Sequence, residues 1–296
     1  ADEKPLKVYN KGFQWDSFGT NNPTSSFIVS DIDIMGNWIQ LSFDGNGHGT
    51  HVAGIVGANG KLKGTAPGVQ IIAIKALSSD GMGSWEEVSK AIDYAKKQGA
   101  HIINISIGNL ATSYEEYRDQ LEVFKKISLE RESLVVIASG NEGPGLGTAY
   151  NVGESESVIT VGAYMSEALW TINYNTVVPG ETLWFYSGVG PQLNGTLAPS
   201  VVAPSAVIST VNRWDSGGYF AMDGTSMAAP FVSGSAALIL QRARISDLDI
   251  DVWNLKKCIE TGARKIEGFD DFEQGYGLID VKNTWEQLKK RAFSLD

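Results

Sequence analysis

Two glycine-bracketed segments carry residue types that together perform acyl transfer. Residues 44–54 read D-G-N-G-H-G-T-H-V-A-G and offer His48; residues 223–230 read D-G-T-S-M-A-A-P and offer Ser226. A hydroxyl attacks a carbonyl when a base takes its proton, and the base needs a third group to orient it. His48 and Ser226 fill the first two roles. Each stands where a glycine-rich turn feeds a predicted helix, with Gly47, Gly49 and Gly224 allowing close backbone approach. At a helix N-terminus the Ser226 amide is an orphan donor and the dipole favours negative charge, which suits an oxyanion. A third segment, residues 137–143 (I-A-S-G-N-E-G), places Asn141 just after a predicted buried strand. Its side-chain NH₂ is a second donor for the same oxyanion.

Each segment also has an ordinary reading when taken singly. H-G-T-H is a possible metal pair, but the chain has only three histidines and no cysteine near them, so His51 reads as a structural residue of its helix. G-T-S-M-A-A-P is compatible with plain helix packing, and G-N at a strand end is a common turn. Chain order narrows the choice. No histidine follows Ser226, which excludes the α/β-hydrolase order, and the chymotrypsin order belongs to all-β barrels. The order Asp…His…Ser remains, the one found in subtilisin.

These residues need a scaffold, and from Gln70 onward short apolar runs alternate with amphipathic ones. Residues 70–77 (Q-I-I-A-I-K-A-L) are predicted as a strand. Ser84 and Glu87 read as a capping box, Val88, Ile92 and Ala95 follow at helical spacing, and Gly99 stands at the C′ position. Strands are predicted over 101–107, 134–139 and 158–163, and a helix over 114–131. This alternation predicts an α/β fold whose mainly parallel sheet is covered on both faces. The segment after Ser226 is apolar on nearly every side and reads as a buried helix. Residues 165–200 lack a clean period and read as irregular strands and loops; residues 1–40 are polar and turn-rich.

Bulk properties set outer bounds. With 296 residues, 43% of them hydrophobic, the chain can bury a substantial core. A net charge of −10 opposes nucleic-acid binding, which needs a basic face. Cys258 is the single cysteine, so an internal disulfide is excluded, and no 18-residue apolar stretch spans a membrane. The opening A-D-E-K-P-L-K has neither Met nor a signal-peptide pattern and reads as the start of a processed or partial chain. Secreted and cytoplasmic locations both stay open. The sequon at Asn194 lies in a loop-like stretch and receives no weight.

With these motifs in place, the chain from about Gly45 to Leu288 resembles the subtilisin-like serine proteases, the subtilases of peptidase family S8. The resemblance implies a three-layer αβα fold and a protease in which His48 is the general base, Ser226 the nucleophile and Asn141 the oxyanion donor. It implies that N-I-S-I-G (104–108) is the strand that pairs with substrate, with Ser106, Ile107 and Gly108 walling the S1 pocket. D-G-M-G-S (80–84) would form the opposite rail, with Gly81 and Gly83 flanking an extended peptide by β-augmentation. G-Y-G-L-I-D (275–280) resembles the closing segment of the catalytic domain. No cofactor is implied; structural calcium is common in the family, without a ligand set assignable here.

The third triad member is where the chain departs from the family pattern. Asp16 is followed by Ser17, but G-F-Q-W (12–15) is a poor buried strand and Phe18 replaces the expected glycine. Asp31 and Asp33 follow a better strand but lie close to His48. The remaining alternative is an aspartate upstream of this chain, on a first strand absent from it. Residues 29–47 resemble the pyrolysin and tripeptidyl-peptidase II branch, where a long insertion separates the Asp from the His. Residues 1–40 then read as the end of that insertion, and 41–296 as the His and Ser portion of the catalytic domain. V-V-A-P-S (201–205) also departs, having Ser205 where the family usually has glycine. The expected substrate is an unfolded peptide or protein. Endopeptidase, tripeptide-releasing exopeptidase and peptide-binding pseudoprotease all remain open at this level.

Overall fold

The computed structural model describes residues 15–18, 25–130, 132–150, 152, 155, 157–212 and 217–293. Three strands come first: β1 (Trp15–Phe18), β2 (Ser25–Asp33) and β3 (Trp38–Ser42), an antiparallel meander. Then follow α1 (His48–Gly57), α2 (Trp85–Lys97), β4 (Ile102–Ile105), α3 (Tyr114–Glu130), β5 (Leu134–Ala138) and β6 (Val158–Met165). The chain continues through α4 (Glu167–Tyr174), β7 (Thr182–Leu183), β8 (Val201–Pro204), β9 (Ala206–Thr210) and β10 (Tyr219–Asp223). It ends with α5 (Thr225–Ile245), α6 (Val252–Gly262), α7 (Asp271–Gln274) and α8 (Val281–Phe293).

The central sheet is mainly parallel: β4 pairs with β5, β5 with β6 and β6 with β8, while β7 adds an antiparallel edge. Side-chain alternation along β5 explains why its sequence is apolar throughout. Leu134, Val136 and Ala138 face a core shared with α5, α6 and α8. Val135 and Ile137 face a second core, built with α2 and α3. A strand buried on both faces has no polar phase, so its five residues read as one hydrophobic run. The expected three-layer α/β architecture is observed, with α5 packed along the sheet.

Local signals hold where the neighbours are local. Ser84 Oγ accepts the Glu87 N–H and Glu87 accepts the Ser84 N–H, forming the capping box at the start of α2. Gly99 takes φ 74° just past its end, a left-handed conformation suited to glycine. Two expectations fail. Residues 166–175 contain a helix, α4, capped by Ser166 Oγ accepting the Leu169 N–H; its lack of a buried face hides it from periodicity. Residues 70–77 do not form a strand. None of their backbone N–H or C=O groups finds a partner among the described residues, and Ile71, Ile72 and Ile74 stay exposed. A strand exists through its neighbours, and this segment has none among the described residues.

Candidate active site

His48 opens α1. Gly47 before it adopts φ 96°, and no side chain of its own caps the helix. Asp44 does so from a distance. Its Oδ1 accepts the N–H groups of Gly47 at 2.8 Å and Asn46 at 3.1 Å, and its Oδ2 accepts the Thr50 hydroxyl at 2.6 Å and the Thr50 N–H at 3.2 Å. Burial pushes the Asp44 carboxyl up, but the Thr50 hydroxyl and these backbone donors outweigh it and hold it below its usual range. A carboxylate occupied in this way terminates a helix. The His48 ring is half-buried; loss of water pulls its pKa below the ordinary value, and the nearby Asp44 charge opposes this. Among the described residues no group hydrogen-bonds the imidazole. His51, one turn on, is fully buried with Nε2 at 2.9 Å from the Phe220 carbonyl, a structural contact.

Ser226 is the second residue of α5. Its approach is a sharp turn at Gly224, whose φ 142° and ψ 159° are open essentially to glycine. Pro230 lies inside the same helix and offers no N–H to the carbonyl four residues back, that of Ser226. Ser106 Oγ fills the gap, donating to the Ser226 carbonyl at 2.8 Å. Ser226 Oγ donates in return to the Ser106 carbonyl at 3.1 Å. The Ser106 hydroxyl also accepts Asn104 Nδ2 at 2.9 Å, and Asn104 Oδ1 accepts the Ser233 hydroxyl at 2.9 Å. The continuation of β4 is thereby fastened to α5 at two levels.

Asn141 reaches the same helix start from the end of β5. Its Oδ1 accepts both the N–H and the hydroxyl of Thr225, each at 3.0 Å. This turns the amide so that Nδ2 is free to donate elsewhere. A Cβ placed on Gly224 would lie 3.7 Å from Asn141 Nδ2, from Asn141 Oδ1 and from the Ser226 backbone N, so the Asn141 and Ser226 amides border the same turn. Beside it opens a cavity of about 180 Å³. Ser106, Ile107 and Gly108 form one wall, Asn141, Thr225 and Ser226 another, and Ala138 and Tyr150 complete it.

Of the residues singled out from sequence, Ser226, Asn141, Ser106, Ile107 and Gly108 share this cavity. His48 stands on the neighbouring helix α1, packed against α5, without a hydrogen bond to Ser226. Gly81 and Gly83 do not line the cavity. Gly81, at φ 83°, sits in the turn that Ser78 and Met82 close at 2.9 Å, and Gly83 packs on Leu77. That turn borders the His48 side, where Asn46 Nδ2 donates to the Ser79 carbonyl at 3.0 Å. Asp31 and Asp33 are spent on their own backbone, Oδ1 of each accepting at 2.8 Å the N–H of Ile32 and of Gly36 respectively. Asp16 pairs through its backbone with Phe27 in β1, and its side chain lies outside the described residues. Among the described residues no cluster of three or more His, Cys, Asp or Glu side chains is arranged to hold a metal ion. Thr225 and Tyr150 went unnoticed in the sequence. G-T-S gave a local signal for the first; nothing local to G-T-A-Y (147–150) gave one for the second.

Comparison with known proteins identifies the family. The subtilase family model matches residues 18–277. Pyrolysin of Pyrococcus furiosus is 31% identical, over 98% of this chain and 24% of its own length. Tripeptidyl-peptidase 2 of Arabidopsis thaliana is 29% identical, over 98% of this chain and 22% of its own. Subtilisin DY of Bacillus licheniformis is 34% identical, over 86% of this chain and 84% of its own. In the first two cases the chain spans about a quarter of its relative. Among solved structures, the crystal structure of tripeptidyl peptidase 2 superposes with a TM-score of 0.70 at 24% identity, over 91% of this chain and 21% of that one, a likeness of fold. The chain belongs to the subtilase family of serine proteases.

Proposed function

We propose that this chain is the His and Ser portion of a serine endopeptidase acting on extended, unfolded polypeptides. Ser226 attacks the scissile carbonyl while His48 takes its proton. The tetrahedral oxyanion is held by Asn141 Nδ2 and the Ser226 amide. His48 then protonates the leaving amine, and water releases the acyl group by the reverse path. The observation that carries this reading is the convergence of Ser226, Asn141 and the 106–108 wall on one cavity.

The orienting carboxylate is proposed to arrive on a strand from a segment upstream of residues 1–40, themselves read as the end of an insertion. Three features support this. The 70–77 segment carries unpartnered backbone and exposed isoleucines, and β4 pairs on one edge only among the described residues. The two also end at complementary places: Ser79 beside Asn46 at the mouth of α1, and Ser106 on Ser226. A parallel strand accepted between them would deliver its C-terminal end beside the His48 ring, which has no hydrogen-bond partner among the described residues. Without such a strand the chain binds peptides but turns them over on the order of 10⁴-fold more slowly, since His48 lacks tautomer control.

Fluorophosphonate labelling of the full-length protein tests the reading. Stoichiometric modification of Ser226 supports it, and a folded protein that takes no label overturns it. Slowed amide exchange at 70–77 and 102–105 when the upstream segment is present supports the docked strand. Cleavage of N-blocked, internally quenched peptides separates an endopeptidase from the tripeptide-releasing activity in the name of the Arabidopsis relative.

A further inference from the structure

We infer that Tyr150 sets the preference of this site for the residue on the amino side of the scissile bond, P1, by closing the cavity against long side chains. The inference rests on the peptidase reading above. The Tyr150 ring spans the space between the two walls. One ring edge faces Gly108, where an added Cβ would come within 2.5 Å of Cδ2, and the opposite edge faces Gly140, where it would come within 2.7 Å of Cε1. With both edges against backbone, the ring blocks the slot that a P1 side chain enters.

The ring is also anchored. The Tyr150 N–H donates to the Ser139 carbonyl at 2.8 Å, and its hydroxyl donates to Glu142 Oε1 at 3.2 Å. Glu142 Oε2 accepts the Asn141 N–H at 2.7 Å, so displacing the ring disturbs the oxyanion donor as well. The side chain is 8% exposed. Within about 180 Å³ the cavity must seat the scissile carbonyl, against Asn141 and the Ser226 amide, together with the P1 side chain. With the Tyr150 ring lodged between Gly108 and Gly140, the cavity suits alanine, serine or glycine at P1, so the substrates are extended polypeptides cut after small residues.

The test uses the full-length protein and paired N-blocked peptides that differ only in Ala or Phe at P1. The native protein is expected to favour Ala by about tenfold or more in kcat/KM, the scale on which a pocket discriminates by size. Tyr150→Ala shifts that ratio toward Phe by about tenfold or more, and Tyr150→Phe, which keeps the ring, leaves it close to native. Turnover of the Ala peptide reports that each variant is folded. Tyr150→Leu, which retains an apolar anchor, gives the same contrast if Tyr150→Ala fails to fold. A native preference for Phe, or a ratio unmoved in the shortened variants, overturns the role of Tyr150 and leaves the peptidase reading standing. Cleavage of neither peptide by the native protein overturns the peptidase reading itself.

Discussion

Ser106 and Ser226 are tied reciprocally, each hydroxyl donating to the other's backbone carbonyl, at 2.8 Å and 3.1 Å. The link follows from Pro230, which withholds the N–H that would otherwise satisfy the Ser226 carbonyl. The 106–108 wall of the cavity and the proposed nucleophile are therefore tied directly to one another. The Ser226 hydroxyl rests on the wall, and on the proposed mechanism it rotates toward His48 to react.

Replacing Ser106 tests that unit. Ser106→Ala leaves the Ser226 carbonyl and the Asn104 amide without their partner, at a cost of about 1–3 kcal/mol. In a Pro230→Ala background the helix supplies its own donor, so the same substitution should cost less. A double-mutant cycle by chemical denaturation reads the difference; strictly additive costs would remove the link to Pro230.

Asn141 holds Thr225 and, on the proposed mechanism, also donates to the oxyanion, and two substitutions distinguish the two roles. Asn141→Asp keeps an acceptor for the Thr225 N–H and hydroxyl but loses the NH₂ donor and adds a negative charge. It should fold and lose at least about 10²–10³ in kcat. Asn141→Ala loses the Thr225 contacts as well and should add a fall in melting temperature. Equal melting temperatures for the two variants would mean that the Thr225 contacts contribute nothing.

At Gly224 any side chain meets backbone strain before it meets a neighbour. An added Cβ would have ordinary 3.7 Å contacts, but φ 142° with ψ 159° is unavailable to alanine. Gly224→Ala should destabilise by about 1–3 kcal/mol and lower kcat, because relaxation of the turn moves the Ser226 amide relative to Asn141. Thermal unfolding paired with single-turnover kinetics checks both effects.

The acid limb of activity should lie low. Partial burial depresses the His48 pKa, against the pull of Asp44, so the ring stays neutral and able to accept a proton to below the ordinary value of about 6.5. Activity should be full above that limb and disappear as pH falls through the folded-state pKa. Docking of a carboxylate beside His48 should move the limb upward, which kcat/KM profiles with and without the upstream segment would record.

Stability should follow the same sign. Burial depresses the pKa of His51 as well, with the Phe220 carbonyl opposing and the His48 charge reinforcing the effect. The folded state therefore binds fewer protons than the unfolded chain. The contribution of both rings is fully present above about pH 6.5 and is lost as pH falls through their lowered values. Asp44 adds a second window, its contribution present above about pH 3.9 and lost in stronger acid. Melting temperatures across the acid range would show the first decline below neutrality, and His51→Gln should flatten it.

The sequence alone determined whatever depends on near neighbours along the chain. The capping box of Ser84 and Glu87 and the glycine turns before His48 and Ser226 are legible because their partners lie within a few residues, while the run of β5 is legible because a strand buried on both faces has no polar phase. Three short motifs were enough to indicate acyl-transfer chemistry, since a nucleophile, its base and an oxyanion donor are restricted residue types at helix and strand ends. The tertiary structure decided the rest. Residues 70–77 have a strand's composition, yet pairing is a property of two strands, and no partner strand lies beside them among the described residues. The exchange between Ser106 and Ser226 crosses 120 positions and depends on a proline in a third place. Tyr150 became a candidate gatekeeper only when two distant glycines closed on its ring. Local chemistry is written in short words, whereas contacts between remote residues exist only once the chain has packed.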